Sequence, residues 1–138
     1  MINESVIISR VIAAAILGLI LGLQREQRKT AEQHHGIAGM RTHVIVALGS
    51  ALVTAIGATV LSSDSTRLAA SILTGIGFIG AGTIIATQGK IRGLVNASTI
   101  WVVSAIGIAT GLGFYLSAIV TTLLIIIILE LKKFEKID

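Results

Sequence analysis

Three glycines in the run "TGIGFIGAG" fall at the spacing G-x-G-x-x-G: Gly75, Gly77 and Gly80. In a dinucleotide-binding enzyme, glycines so spaced let the backbone close on a pyrophosphate at a helix N-terminus. That chemistry also needs a strand before the glycines and an acidic residue about 20 positions after them to hold the ribose. Here "RLAASIL" precedes them with helix formers, and no acid occurs between Asp64 and Glu130. The phosphate reading fails on its own requirements.

The other reading is that glycines on an apolar helix let two backbones touch. Between helices in lipid, apolar side chains gain little from association, so contact forms where small residues permit close approach. Gly75, Gly82 and Ala86 recur near helical spacing, as do Gly77, Ala81 and Ile85 on an adjoining strip. Gly18 with Gly22, and Gly107 with Gly111, form G-x-x-x-G pairs elsewhere. The run holding Gly75, Gly77, Gly80 and Gly82 is richest in such residues and is expected at the packed centre of a helix bundle.

Few other residues could do chemistry. The charged and histidine positions Arg25, Glu26, Arg41, His43, Arg92 and Glu130 lie at the ends of apolar runs, and none lies well inside one. An ion pathway usually places ionisable groups inside the membrane, so direct coordination of a bare divalent cation is not expected. Ser50, Thr54, Ser71, Thr74, Thr83, Asn96, Thr99, Ser104 and Thr121 could line a hydrated route, although such groups more often bond their own helix. The three histidines, His34, His35 and His43, sit near Glu26 and Glu32 without any cysteine. Neighbouring histidines on a helix point about 100° apart, so they read as solvated loop residues and no metal site is expected. There is no triad, paired carboxylate or phosphate loop. Neither enzymatic activity nor a cofactor is expected.

The elements that position these residues follow from composition. The chain of 138 residues is 54% hydrophobic and 13% charged, with no proline or cysteine and a mean hydropathy of +0.92. A soluble domain carries about 25% charged residues, so lipid must solvate most of this surface. The net charge of +4 does not form the basic stripe that nucleic acid requires. Five apolar stretches run from about Val6 to Leu23, Val44 to Leu61, Leu68 to Thr87, Leu94 to Gly111 and Phe114 to Leu131. Each is near the ~20 residues that span the hydrocarbon core as a helix. A tight turn at Gly111 to Gly113 separates the last two. The first stretch is not followed by a small-residue cleavage site, so it reads as a span and not a signal peptide. The expected architecture is all-α, a single membrane domain of five helices over residues 1–138.

Charge gives the orientation. Arg25, Arg28, Lys29, Arg41, Lys90, Arg92, Lys132, Lys133 and Lys136 share one side of a five-span chain, leaving Arg10 and Arg67 opposite. The side rich in Lys and Arg is cytoplasmic, which places the amino terminus outside and the carboxyl terminus inside. Membrane lipids are then the first partners of Arg25, Arg28 and Arg41. Trp101 lies too near the middle of its stretch for an interfacial residue and is expected to pack inside the bundle.

"GLILGLQREQR" followed by "GIAGMRTHVIVALGSAL" resembles the opening of the MgtC/SapB family of bacterial membrane proteins. "STRLAASILTGIGFIGAGTII" and "KIRGLVNASTIWVVSAIGIATGLGFY" resemble its two further blocks, in the same order. The resemblance implies five membrane helices in a bacterial cytoplasmic membrane. It also implies a link to growth at low magnesium, to virulence and, in some members, to restraint of the F-type ATP synthase. It carries over Arg25, Glu26, Gly39, Arg41, Thr42, Gly75, Gly77, Gly80, Gly82, Arg92, Gly93, Thr99 and Trp101, with Asn96 as a further functional candidate. Many members add a soluble ACT-like domain; this chain runs seven residues past its fifth stretch, so it is expected to be a short form and no role of that domain is carried over. Family members usually place Asn or Thr, then Thr, after "RGL", where this chain has Val95 and Asn96.

Two functions compete at this point. One is a non-enzymatic membrane module that binds another membrane component. The other is a small oligomeric transporter or channel, for magnesium or another cation, using the glycine and hydroxyl face of the third stretch.

Overall fold

A computed structural model of the protein describes residues 3–27, 38–60, 64–87 and 90–131. Arg28, Lys29, Glu32, His34, His35, Lys132, Lys133 and Lys136 lie outside the described residues. Five helices account for most of the rest: α1 (Glu4–Gln27), α2 (Met40–Val60), α3 (Ser65–Ala81), α4 (Leu94–Leu112) and α5 (Tyr115–Glu130). A short antiparallel hairpin, β1 (Ile85–Thr87) and β2 (Lys90–Arg92), joins α3 to α4. The fold is an all-α helical bundle. Three helices, α1, α2 and α4, are long and apolar enough to cross a membrane, while α3 and α5 are shorter apolar helices of 17 and 16 residues.

Local chemistry sets the helix ends. Asn3 precedes α1, and its side chain accepts hydrogen bonds from the Ser5 backbone N–H at 3.2 Å and the Ser5 hydroxyl at 2.6 Å, satisfying an otherwise orphan donor of the first turn. At the far end of α4, Gly113 adopts φ 91°. The Phe114 N–H reaches back to the Ala109 carbonyl at 2.8 Å, and the Gly113 N–H to Thr110 at 2.9 Å. That left-handed glycine closure ends one helix and aims the chain back along it, which is the turn expected between the fourth and fifth stretches.

Pairings across the interfaces fix the directions. Gly22 of α1 meets the backbone of Met40, and Gly18 meets Ala47, so α2 runs antiparallel to α1. Gly57 meets Leu68 where α2 passes into α3, and Gly80 meets Ala97 where α3 passes into α4. His43 pairs with Thr99 and Ser50 with Ser104, so α2 and α4 run parallel. Gln24 and Glu130 join the last turns of α1 and α5. Each helix therefore runs opposite to the one before it.

The centre of this bundle is α4, which packs against all four other helices. Along it Asn96, Thr99, Ile100, Val103, Ser104, Ile106, Gly107, Ile108, Thr110 and Gly111 are buried, whereas α3 buries only Gly80, and α5 only Ala118 and Thr122. The contacts of α2 with α1 and with α4 are close at the level of backbone. A Cβ built on Gly18 would stand 2.8 Å from the Ala47 Cβ, and one on Gly22 would stand 2.6 Å from the Met40 Cα. On Gly111 it would meet the Ala51 carbonyl oxygen at 2.7 Å, and on Gly107 the Ser50 Cβ at 2.9 Å.

This corrects two expectations. The packed centre is not the third stretch: Gly75 and Gly77 have nothing within 4 Å, Gly80 rests on Ala97 at ordinary contact distances of 3.5–3.7 Å, and the nearest atoms to Gly82 are carbonyls of its own last turn. Small residues make a close contact only where another helix supplies a matching face: α2 offers Ala47 and Ala51 to α4, while among the described residues nothing is offered to Gly75 and Gly77 of α3. Nor does the helix reach Thr87. The Thr83 and Ile84 N–H groups bond back three residues, to Gly80 and Ala81, at 3.0 Å each, tightening the last turn before the hairpin begins. The hairpin returns at Gly93, φ 90°, packed against the Thr83 carbonyl where a Cβ would collide.

Candidate functional site

The last turn of α1, the first turns of α2 and α4 and the end of α5 meet at one end of the bundle. There Arg25 of α1 donates from Nη2 to Oδ1 of Asn96, which is 4% exposed in α4. One turn further along α4, the Thr99 hydroxyl stands 2.9 Å from the Asn96 carbonyl and 3.3 Å from Nε2 of His43. His43 is fully buried, and its Nδ1 lies 2.9 Å from the Gly39 carbonyl. A carbonyl only accepts, so Nδ1 carries a proton. In the neutral ring Nε2 is then an acceptor, and the single Thr99 proton goes either to Nε2 or to the Asn96 carbonyl.

Glu26 stands beside this cluster and accepts from the Met40 N–H at 3.1 Å. An acidic side chain is well placed on the first N–H groups of a helix, which carry partial positive charge. Gln24 donates to Glu130 at 3.3 Å. Polar contacts continue along the α2–α4 seam with the Ser50–Ser104 pair at 2.8 Å. At the opposite end, Arg10 of α1 donates from Nη1 to the Gly111 carbonyl at 2.8 Å, a cation on the negative end of α4.

The fold thus brings together Arg25, Asn96 and Thr99, with Glu26 adjacent, from among the candidates. It does not bring in the others. Arg41 is exposed on the first turn of α2, Thr42 is half-buried beside it, and Arg92 is exposed on the hairpin. Trp101 is 44% exposed and lines a groove of about 420 Å³ between α3 and α4, with Ile76, Gly77, Leu94 and Val102; the expectation that it packs inside the bundle is corrected. It lies on the side of α4 turned away from α1 and α2.

Sequence reasoning missed two members. His43 groups in sequence with His34 and His35 as a solvated loop residue, yet it is the first position of the buried series His43, Ala47, Ser50, Ala51 and Thr54. Steps of four, three, one and three carry that series along one helix face. Arg10, read only as an outer charge, had no comparable signal. Among the described residues no group of three His, Cys, Asp or Glu could hold a metal ion. The Thr99 hydroxyl that stands beside the His43 imidazole is buried with it, at 4% and 0% exposure. What the arrangement supplies is a fixed guanidinium and a chain of buried hydrogen bonds locking three helices at one end.

Comparison with known proteins agrees with the motifs. The profile of the MgtC family matches residues 11–136. The chain is 39% identical over 132 residues to "Putative magnesium transporter YhiD" of Escherichia coli K12, covering 89% of this chain and 59% of that protein. It is 36% identical over 119 residues to "Protein MgtC" of Salmonella typhimurium LT2, covering 86% and 49%. With "Protein MgtC" of Brucella abortus it shares 40% over 114 residues, covering 82% and 45%. The chain thus spans about half to three-fifths of the length of these relatives. No solved structure matches it. On the family profile and these relatives together, the chain belongs to the MgtC family of membrane proteins.

Proposed function

We propose that this chain is a five-span module of a bacterial cytoplasmic membrane, amino terminus outside and carboxyl terminus inside. It catalyses no reaction, and acts by binding another membrane component during adaptation to low magnesium. The alternation of helix directions supports the span count. Arg25, Arg41 and Arg92 gather at one end of the bundle and Arg10 and Arg67 at the other, and with the basic residues of the connectors this supports the orientation. The magnesium setting draws on the family and on the name carried by the Escherichia coli relative.

Binding is favoured over conduction by one observation. Helix α2 touches α1 at Gly18 and Gly22 and α4 at Gly107 and Gly111, backbone to backbone, which packs the helices too closely for a hydrated path at those positions. Affinity purification after mild solubilisation, from cells starved of magnesium, is expected to recover a stoichiometric membrane partner. The F-type ATP synthase is the first to look for. Recovery of this protein alone sinks the proposal.

A transport reading has its own support in the open glycines of α3. Gly75 and Gly77 are exposed, and Gly77 lines the α3–α4 groove. Any route along that face requires a second copy to close it. Purified protein in liposomes would then show ion-selective flux that rises with oligomer content, and absence of flux in a cross-linked oligomer removes this reading.

A further inference from the structure

The α3–α4 connection differs in kind from the helices around it. Its hairpin pairs Ile85 with Arg92, Ala86 with Ile91 and Thr87 with Lys90. Side chains alternate across a strand, so Ala86 and Ile91 share one face and Arg92 belongs to the other. Ile91 is 63% exposed, and Ile84, Leu94 and Val95 around it are exposed too. The base of the hairpin is held in place by Gly93 against the backbone of Thr83 and Ile84.

Two constraints bracket where such an element can sit. An open pair of strands has edges of unpaired N–H and C=O groups, which hydrocarbon does not tolerate. An isolated hairpin with an exposed isoleucine face is poorly stabilised in water. The headgroup layer meets both demands, being wet enough for the edges and bordering acyl chains for the isoleucine. Charge selects the lipid. From Ser65 to Leu129 the sequence carries Arg67, Lys90 and Arg92 and no acid, so the hairpin strands are basic in sequence, and Arg92 is exposed. Its exposed apolar residues also continue those of α3, where Phe78 is 85% exposed and Ile79 45%.

We propose that the β1–β2 hairpin is an interfacial lipid-binding element: the Ile91 face rests on the acyl boundary of the cytoplasmic leaflet, and the Arg92 face engages anionic headgroups. The proposal rests on the membrane orientation given above. Arg92 is on this view a lipid ligand, separate from the buried cluster of Arg25, Asn96, Thr99 and His43.

The chain has no cysteine, so single nitroxide labels can be placed by Ile91→Cys, Ala86→Cys and Phe78→Cys. Collisions with oxygen and with a water-soluble nickel chelate are then compared in phosphatidylcholine vesicles with and without phosphatidylglycerol. The label at 78 is expected deep in hydrocarbon. Those at 91 and 86 are expected at the headgroup boundary, moving deeper when phosphatidylglycerol is present, and Arg92→Glu is expected to abolish that movement. Labels at 91 and 86 dominated by nickel collisions, with the label at 78 still in hydrocarbon, overturn the hairpin proposal alone. A depth indifferent to phosphatidylglycerol overturns the headgroup assignment. A label at 78 in water takes the membrane reading down with it.

Discussion

Helices α3 and α4 both carry small residues at helical spacing, and only those of α4 press against a neighbouring backbone. Gly107 and Gly111 meet Ala47, Ser50, Ala51 and Thr54 of α2, whereas Gly75 and Gly77 meet nothing. A small-residue face is thus half of a contact. In α4 the second half is encoded in the same chain, and the result is a dense core of α1, α2 and α4. In α3 it is not, and that helix leans on α4 near Gly80 with most of its surface turned outward.

The largest expected effect tests the dense side. Gly107→Leu pushes a side chain into Ala47 and Ser50, and overpacking of this kind is expected to cost about 3 kcal/mol of stability, read from unfolding in detergent or bicelles. A cost under about 1 kcal/mol would mean that the helices can part there without consequence. Next comes Arg25→Ala, which strips a charged partner from the buried Asn96 amide; about 2 kcal/mol is expected, and most of it should vanish in an Asn96→Leu background. Ser50→Ala removes one neutral hydrogen bond between helices, for which about 0.6 kcal/mol is typical in membranes. A much larger loss would show that the Ser50–Ser104 pair organises more than itself. The smallest effect belongs to the open side. Gly77→Leu is expected to stay within about 0.5 kcal/mol of the parent, and a large loss there, growing with protein concentration, would reveal a second copy against α3.

Much of the fold was legible because burial in lipid leaves long unbroken apolar runs, and Gly111 to Gly113 marked the turn between the last two. The hairpin was not. "TIIAT" is as apolar as the helix before it, so hydropathy cannot distinguish strand from helix there, and the discriminating feature is a single glycine, Gly93, that must pass close to the Thr83 carbonyl. The candidate site was legible in part. Arg25, Asn96 and Thr99 were singled out, but which of the end charges converge depends on how the helices are rotated about their axes. Rotation was also what hid His43 and misplaced Trp101: the one faces α4 through Thr99, and the other looks toward α3.

Arg10 and Arg25 stand 15 positions apart on α1, and the groups they grip on α4, Gly111 and Asn96, are also 15 apart. At about 1.5 Å per residue both intervals measure ~22 Å, so the two helices are matched like a key with two teeth. Adding one residue to α1 between the arginines shifts one tooth by ~1.5 Å and swings it through about 100°, so both cannot stay engaged. Length within that segment of α1 is consequently fixed by its partner, and evolution can vary the side chains there far more freely than their number.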